Sequence, residues 1–97
     1  MRRLVDAIGV LWGAYSNAMA SQWIGRYVLT ATAADAMGFA GCEVARTALG
    51  FAGVRGLPIE DAAKKAEAEA TAVAMARVCI MERRDGIKVL VDFLEAL

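Results

Sequence analysis

Apolar residues recur at steps of three and four along the first quarter of the chain. Leu4, Ile8, Leu11 or Trp12, Tyr15, Met19 and Trp23 share one face at that spacing, which predicts an amphipathic helix over 1–24. A second helix is expected over 27–49, where Val28, Leu29, Met37, Phe39, Val44 and Leu49 are set among alanines and Gly50 offers a stop. Gly38 and Gly41 lie inside it, and each costs ~1 kcal/mol relative to alanine in a helix interior. They point either to the close approach of another backbone or to a break. Residues 50–57 hold three glycines and read as a linker.

The third helix is predicted over 58–84. Pro58 suits a first turn, Glu60 and Asp61 suit the positive end of the dipole, and Arg83 and Arg84 suit the negative end before Gly86. Glu60–Lys64 and Asp61–Lys65 are spaced to pair four apart. Ala66, Ala70, Val73, Ala74, Ile80 and Met81 are its expected buried stripe. A fourth, short helix over 87–97 turns Ile87, Leu90, Val91 and Leu94 inward and Lys88, Asp92 and Glu95 to water. At under three turns it must dock on the rest. Sustained two-residue alternation is missing, so the expected fold class is all-α, about four helices forming one unit over 1–97.

Composition changes this picture in one respect. The apolar fraction is 59%, but 21 of the 97 residues are alanine, which favours helix and buries little area. A chain this short hides only about 60–65% of its unfolded surface. An alanine-rich core is therefore thin, and exposed apolar surface that wants a partner is expected, either a second copy or a missing part of the same fold.

Eleven basic and eleven acidic residues cancel, which argues against a nucleic-acid partner. No charge occurs from Ala7 to Gly25, near the length of a membrane span, and Ala18-Met19-Ala20 has the small-x-small form of a cleavage site. Asp6 interrupts the start of that run, and Ser16, Asn17, Ser21 and Gln22 break its middle. The segment is read as a core helix, and the chain as cytoplasmic and not membrane-bound.

Catalytic chemistry is sparse. The chain has no histidine, so neither Cys42 nor Cys79 has an imidazole base, and the two thiols are too far apart in sequence for a zinc motif. No Gly-x-x-x-x-Gly-Lys-Ser/Thr loop is present. Glu67 and Glu69, two apart on a helix, point away from each other. No catalytic residue and no metal ligand is nominated. The exception to this blandness is Glu43 and Arg46, isolated charges three apart in the long apolar run 37–54. They form either an ion pair that fixes register or an arginine presented to an oxygen-rich ligand.

The same stretch carries a resemblance. Gly38-Phe39-Ala40-Gly41, Glu43, Arg46, Gly50, Ala52 and Val54 resemble the C-terminal signature of the methylthioribose kinases. Ile59-Glu60-Asp61, Ala66-Glu67, Met81-Glu82-Arg83-Arg84 and Ile87 continue it, so the likeness covers about residues 36–87. It implies the helical C-terminal part of a protein-kinase-like fold, akin to the aminoglycoside phosphotransferases, from a family that tends to form dimers. That family transfers the γ-phosphate of ATP, with magnesium, to the anomeric hydroxyl of 5-methylthioribose in methionine salvage. Its nucleotide lobe and catalytic loop, which carries histidine, lie upstream of this region. The resemblance therefore implies a truncated or remnant segment, not catalytic alone, that needs no cofactor of its own. ATP and magnesium belong to the full-length family, and the implied partner is a missing kinase lobe. Arg46 is the one substrate-binding residue carried over. The family's second arginine is Thr47 here, and its histidine near the end of the motif is Gly53.

Overall fold

The computed structural model describes residues 2–20, 25–50 and 55–97, with side chains described from residue 28 in the second of these stretches. Within them the protein is all-α. Four helices follow one another: α1 (Arg2–Ala20), α2 (Gly25–Leu49), α3 (Ala62–Met81) and α4 (Lys88–Ala96), with a 3-10 turn at Arg83–Asp85. No strand occurs among the described residues. Cα positions extend over 51 × 28 × 20 Å with a radius of gyration of 15.2 Å. A compact chain of this length would have a radius near 12–13 Å. The excess arises because α2, 25 residues long, runs as one rod.

α2 and α3 form the packed centre, and they meet through small residues. α2 covers Ala33, Met37, Gly41 and Ala48 at near-regular steps of four and seven, and α3 answers with Ala76 and Cys79. Gly41 marks the closest point. A Cβ added there would lie 2.6 Å from Ile80 Cγ1 and 2.7 Å from the Ala76 carbonyl oxygen, inside any allowed contact. Of the two sequence expectations for Gly38 and Gly41, close approach is therefore correct at Gly41, and α2 does not break. Helices that cross on small residues reach the short end of the usual ~8–10 Å axial range. Extra dispersion contact between backbones then replaces what large side chains would otherwise supply.

The buried face of α3 is not the expected one. Ala66, Ala70, Val73, Ala74 and Met81 are exposed, with Met81 at 71%; only Ile80 of that set is even half-covered. The covered side carries Ala68, Ala72, Met75, Ala76 and Cys79. The physical reason is that alanine stands on every side of this helix, so apolarity alone selects no direction. The side that faces α2 is the one small enough to meet Gly41.

Helix ends follow capping chemistry. α3 begins at Ala62, not in the turn of Pro58. Asp61 is the N-cap, its Oδ1 accepting from the Ala63 and Lys64 backbone N–H groups at 2.9 and 3.1 Å. Residues 55–60 are non-helical, Gly56 lying against the Ala48 carbonyl, and Asp61 caps instead of pairing with Lys65. α2 stops at Gly50, whose φ of 80° suits glycine, with its N–H donating to the Arg46 carbonyl at 3.0 Å. Arg83 and Arg84 fall in the 3-10 turn beyond α3, where an Arg83 Nη donates to the Ile80 carbonyl at 2.8 Å, as a cation at a helix C-terminus should. Gly86, with φ 78°, then reverses the chain and packs near Ala33 of α2.

α4 docks with Val89 and Leu94 buried and Ile87, Leu90 and Val91 half-covered, while Lys88, Asp92 and Glu95 face water as expected. α1 lies on the outside of this arrangement, tied to α4 by an Arg2–Glu95 ion pair of 3.2 Å. Its covered side is Val5, Ile8, Trp12, Ser16 and Met19, whereas Leu4 and Leu11 of the expected stripe are exposed at 52% and 74%. Asp6 is the sole charge between Leu4 and Ala20, so apolar groups cover much of this helix's circumference and one neighbour can hide only part of it. Trp23 lies outside the described residues. No helix among those described is long and apolar enough to cross a membrane.

Candidate functional site

Glu43 and Arg46 occupy the last turns of α2, two and five residues beyond the Gly41 crossing. An i, i+3 spacing on a straight helix sets them side by side. The Arg46 Nε donates to Glu43 Oε2 at 3.2 Å, and an Arg46 Nη pairs with Glu43 Oε1, so the guanidinium meets the carboxylate edge to edge. Glu43 is largely exposed, and the Arg46 side chain is about one-third exposed. The hydrogen bond from Arg46 holds the Glu43 carboxyl below its ordinary range, and the same bond pushes the guanidinium further up. The structure thus forms the ion pair that the spacing allows. Beside it, a shallow cleft of about 200 Å³ is lined by Glu43, Val44, Thr47, Ala48, Leu57 and Ala72. Thr47, which stands where the resemblance places a second arginine, borders that cleft.

Other signature residues separate by role. Gly38 has only ordinary contact, with Arg83 Cδ 3.5 Å from where its Cβ would be, and Phe39 is 76% exposed instead of in the core. Ala52, Gly53 and Val54 lie outside the described residues. The two thiols also part company. Cys42 is exposed on α2, whereas Cys79 is buried at the α2–α3 contact and burial pushes its thiol up. The acidic residues do not converge. Among the described residues no three Asp, Glu or Cys side chains come together as a metal cage.

Sequence reasoning missed a larger feature. Among α1, α2, the 3-10 turn and the start of α4 a groove of about 700 Å³ opens, lined in part by Trp12, Leu29, Ala33, Arg84 and Lys88. On the other side of Trp12 an apolar hollow of about 380 Å³ is lined by Ile8, Leu11, Trp12, Tyr15, Thr32 and Ala36. Trp12 was legible as an apolar residue of the α1 stripe, but nothing in its spacing announced that two hollows would share its ring as a wall. Lys88 at the groove's edge is committed to an ion pair with Asp92, which raises its ammonium pKa. No known protein family matches this chain, and neither a curated protein nor a solved structure does.

Proposed function

We propose that the chain is a C-terminal helical segment of a methylthioribose-kinase-like phosphotransferase, truncated or remnant, acting against a nucleotide-binding lobe made of other residues. One observation carries this reading. Gly38, Gly41, Glu43 and Arg46 stand on one uninterrupted helix, with Gly41 at the α2–α3 crossing. The spacing thereby has a mechanical sense: the crossing glycine fixes the height and rotation of α2, and the arginine is presented at a set distance beyond it. Glu43 uses one edge of the guanidinium, which leaves the remaining N–H donors for sugar or phosphate oxygens. In the complete enzyme ATP would supply the transferred phosphoryl group, and magnesium would offset the charge on its phosphates. Arg46 would bind and orient, adding positive charge where negative charge develops.

The experiment is a chimera, in which residues 36–87 replace the corresponding segment of a methylthioribose kinase. The expected result is ATP-dependent phosphorylation of methylthioribose, reduced at least tenfold in kcat/KM by Arg46→Ala. A chimera that folds and binds ATP yet turns over no sugar, or one indifferent to Arg46→Ala, contradicts the reading. Turnover by the isolated 97-residue chain would overturn the non-catalytic part.

A second reading is favoured by the uncovered apolar side of α1: a stand-alone helical association module without enzymatic activity. Sedimentation of the purified chain over a wide concentration range tests it, since a monomer at every concentration would exclude self-association.

A further inference from the structure

We infer that the groove beside Trp12 binds a small aromatic carboxylate, with Arg84 holding the carboxylate and the indole of Trp12 walling the ring. The inference is independent of both readings above, since it uses neither the Glu43–Arg46 pair nor the outer side of α1. The groove measures about 700 Å³, within the ~300–1,000 Å³ range of small-molecule sites. Its lining is mostly apolar and comes from separate elements, with Trp12 on α1, Leu29 on α2 and Val91 on α4. Trp12 is backed by Tyr15, the two rings lying 5.6 Å apart and tilted by 34°. A ring laid against that indole gains aromatic contact beyond the apolar area it buries.

Charge on the groove selects the class of ligand. Lys88 is committed to Asp92, and the Ser16 hydroxyl donates to the Trp12 carbonyl at 2.6 Å. Arg84 differs. Its neighbour Arg83 donates to the Ile80 carbonyl, but among the described residues the Arg84 guanidinium has no hydrogen-bond or ion-pair partner. A guanidinium presents paired N–H donors in one plane, which matches the two oxygens of a carboxylate. Set at the edge of an apolar groove, it calls for an anion with an apolar body. Asp85 is the one carboxylate in the lining. Its charge acts on Lys88, which offsets it in part. Neutralising Asp85 should therefore favour a bound anion, and would disfavour a ligand that carries an ammonium group.

The test is titration of the full chain with 3-phenylpropionate, followed through the nuclear magnetic resonance signals of the backbone amides and the indole N–H groups. Saturable shifts should centre on Trp12, Leu29 and Val91. Arg84 is exposed, so Arg84→Gln should keep its helicity, and it should weaken binding roughly fivefold, the order expected for an exposed charge pair. The uncharged 3-phenylpropionamide should bind the parent chain weaker than the acid by about the same factor, and Asp85→Asn should tighten the acid about twofold. Shifts that never saturate, or that centre elsewhere, would overturn the site. Unchanged affinity in Arg84→Gln, or acid and amide binding alike, would overturn the part given to Arg84. Weaker binding in Asp85→Asn would overturn the ligand class, because the groove would then be gripping a positive group. None of these failures touches the phosphotransferase reading, which stands or falls on turnover by the chimera.

Discussion

The α2–α3 contact and the α1 contact are built from opposite materials. α2 and α3 are alanine-rich and nearly uniform around their circumference, yet they make the best-packed contact in the molecule, with Ala48, Ala76 and Cys79 each at 3% exposure or less. α1 has the larger side chains and the clearer apolar periodicity, yet Leu4, Val10 and Leu11 remain open. Steric fit, not side-chain size, decides which face is buried here. Glycine and alanine bring two backbones together, while α1 meets its neighbours around two hollows that share Trp12 as a wall.

Substitutions sharpen that contrast in descending order of effect. Met37→Ala empties a site that is 4% exposed and should cost about 2–4 kcal/mol in urea unfolding. Leu11→Ala, measured at concentrations low enough to keep the chain monomeric, should change little. An equal loss at both positions would erase the distinction between the two regions. Asp61→Ala removes the α3 cap and should cost about 1 kcal/mol, whereas Pro58→Ala should cost less, because Pro58 lies outside the helix.

Thiol chemistry separates exposed from buried α-helix surface. At about pH 8 Cys42 should react with an aromatic disulfide reagent within the time of mixing, and Cys79 only as fast as the chain unfolds. Rapid reaction of both would mean that α3 opens freely from α2.

The smallest effect belongs to Glu43 and Arg46. Because the folded carboxyl is held below its ordinary value of 4.5, the pair stabilises above that pH and the contribution is lost as pH falls through the lowered value. Denaturation across about pH 3–7 should show that acid step in the parent chain and a flatter profile in Arg46→Ala, with no resolvable change near neutrality.

Much of the architecture was legible. Four helices, the stop at Gly50 and the turn at Gly86 follow from glycine chemistry and apolar spacing, whereas Gly38 and Gly41 left close approach and a break both open until the α2–α3 crossing decided between them. The α3 start was misplaced because Pro58 and Asp61 both satisfy helix-start rules, and only the carboxylate supplies hydrogen bonds to the orphan N–H groups. The α3 face was not legible at all: Ala66, Ala70 and Ala74 are chemically the same as Ala68, Ala72 and Ala76. On α1 the predicted stripe put Leu4 and Leu11 together with Ile8 and Trp12, which lie further round the helix, and only the side of Ile8 and Trp12 is covered, with Val5 added to it. At the candidate site, spacing was enough to expect the Glu43–Arg46 pair. The groove beside Trp12 was hidden because it arises from how three elements meet, not from any one of them.

The most direct measurement compares one substitution at two glycines. Alanine favours a helix interior by ~1 kcal/mol over glycine. At Gly13 a Cβ meets nothing within 4 Å, so Gly13→Ala should stabilise by about that amount in urea unfolding. At Gly41 the same methyl strikes Ile80 and the Ala76 carbonyl, so the gain is outweighed and Gly41→Ala should destabilise by about 1–2 kcal/mol. Shifts of opposite sign are the expected result. Stabilisation at both positions would contradict the account, because it would mean that α2 and α3 do not cross at Gly41.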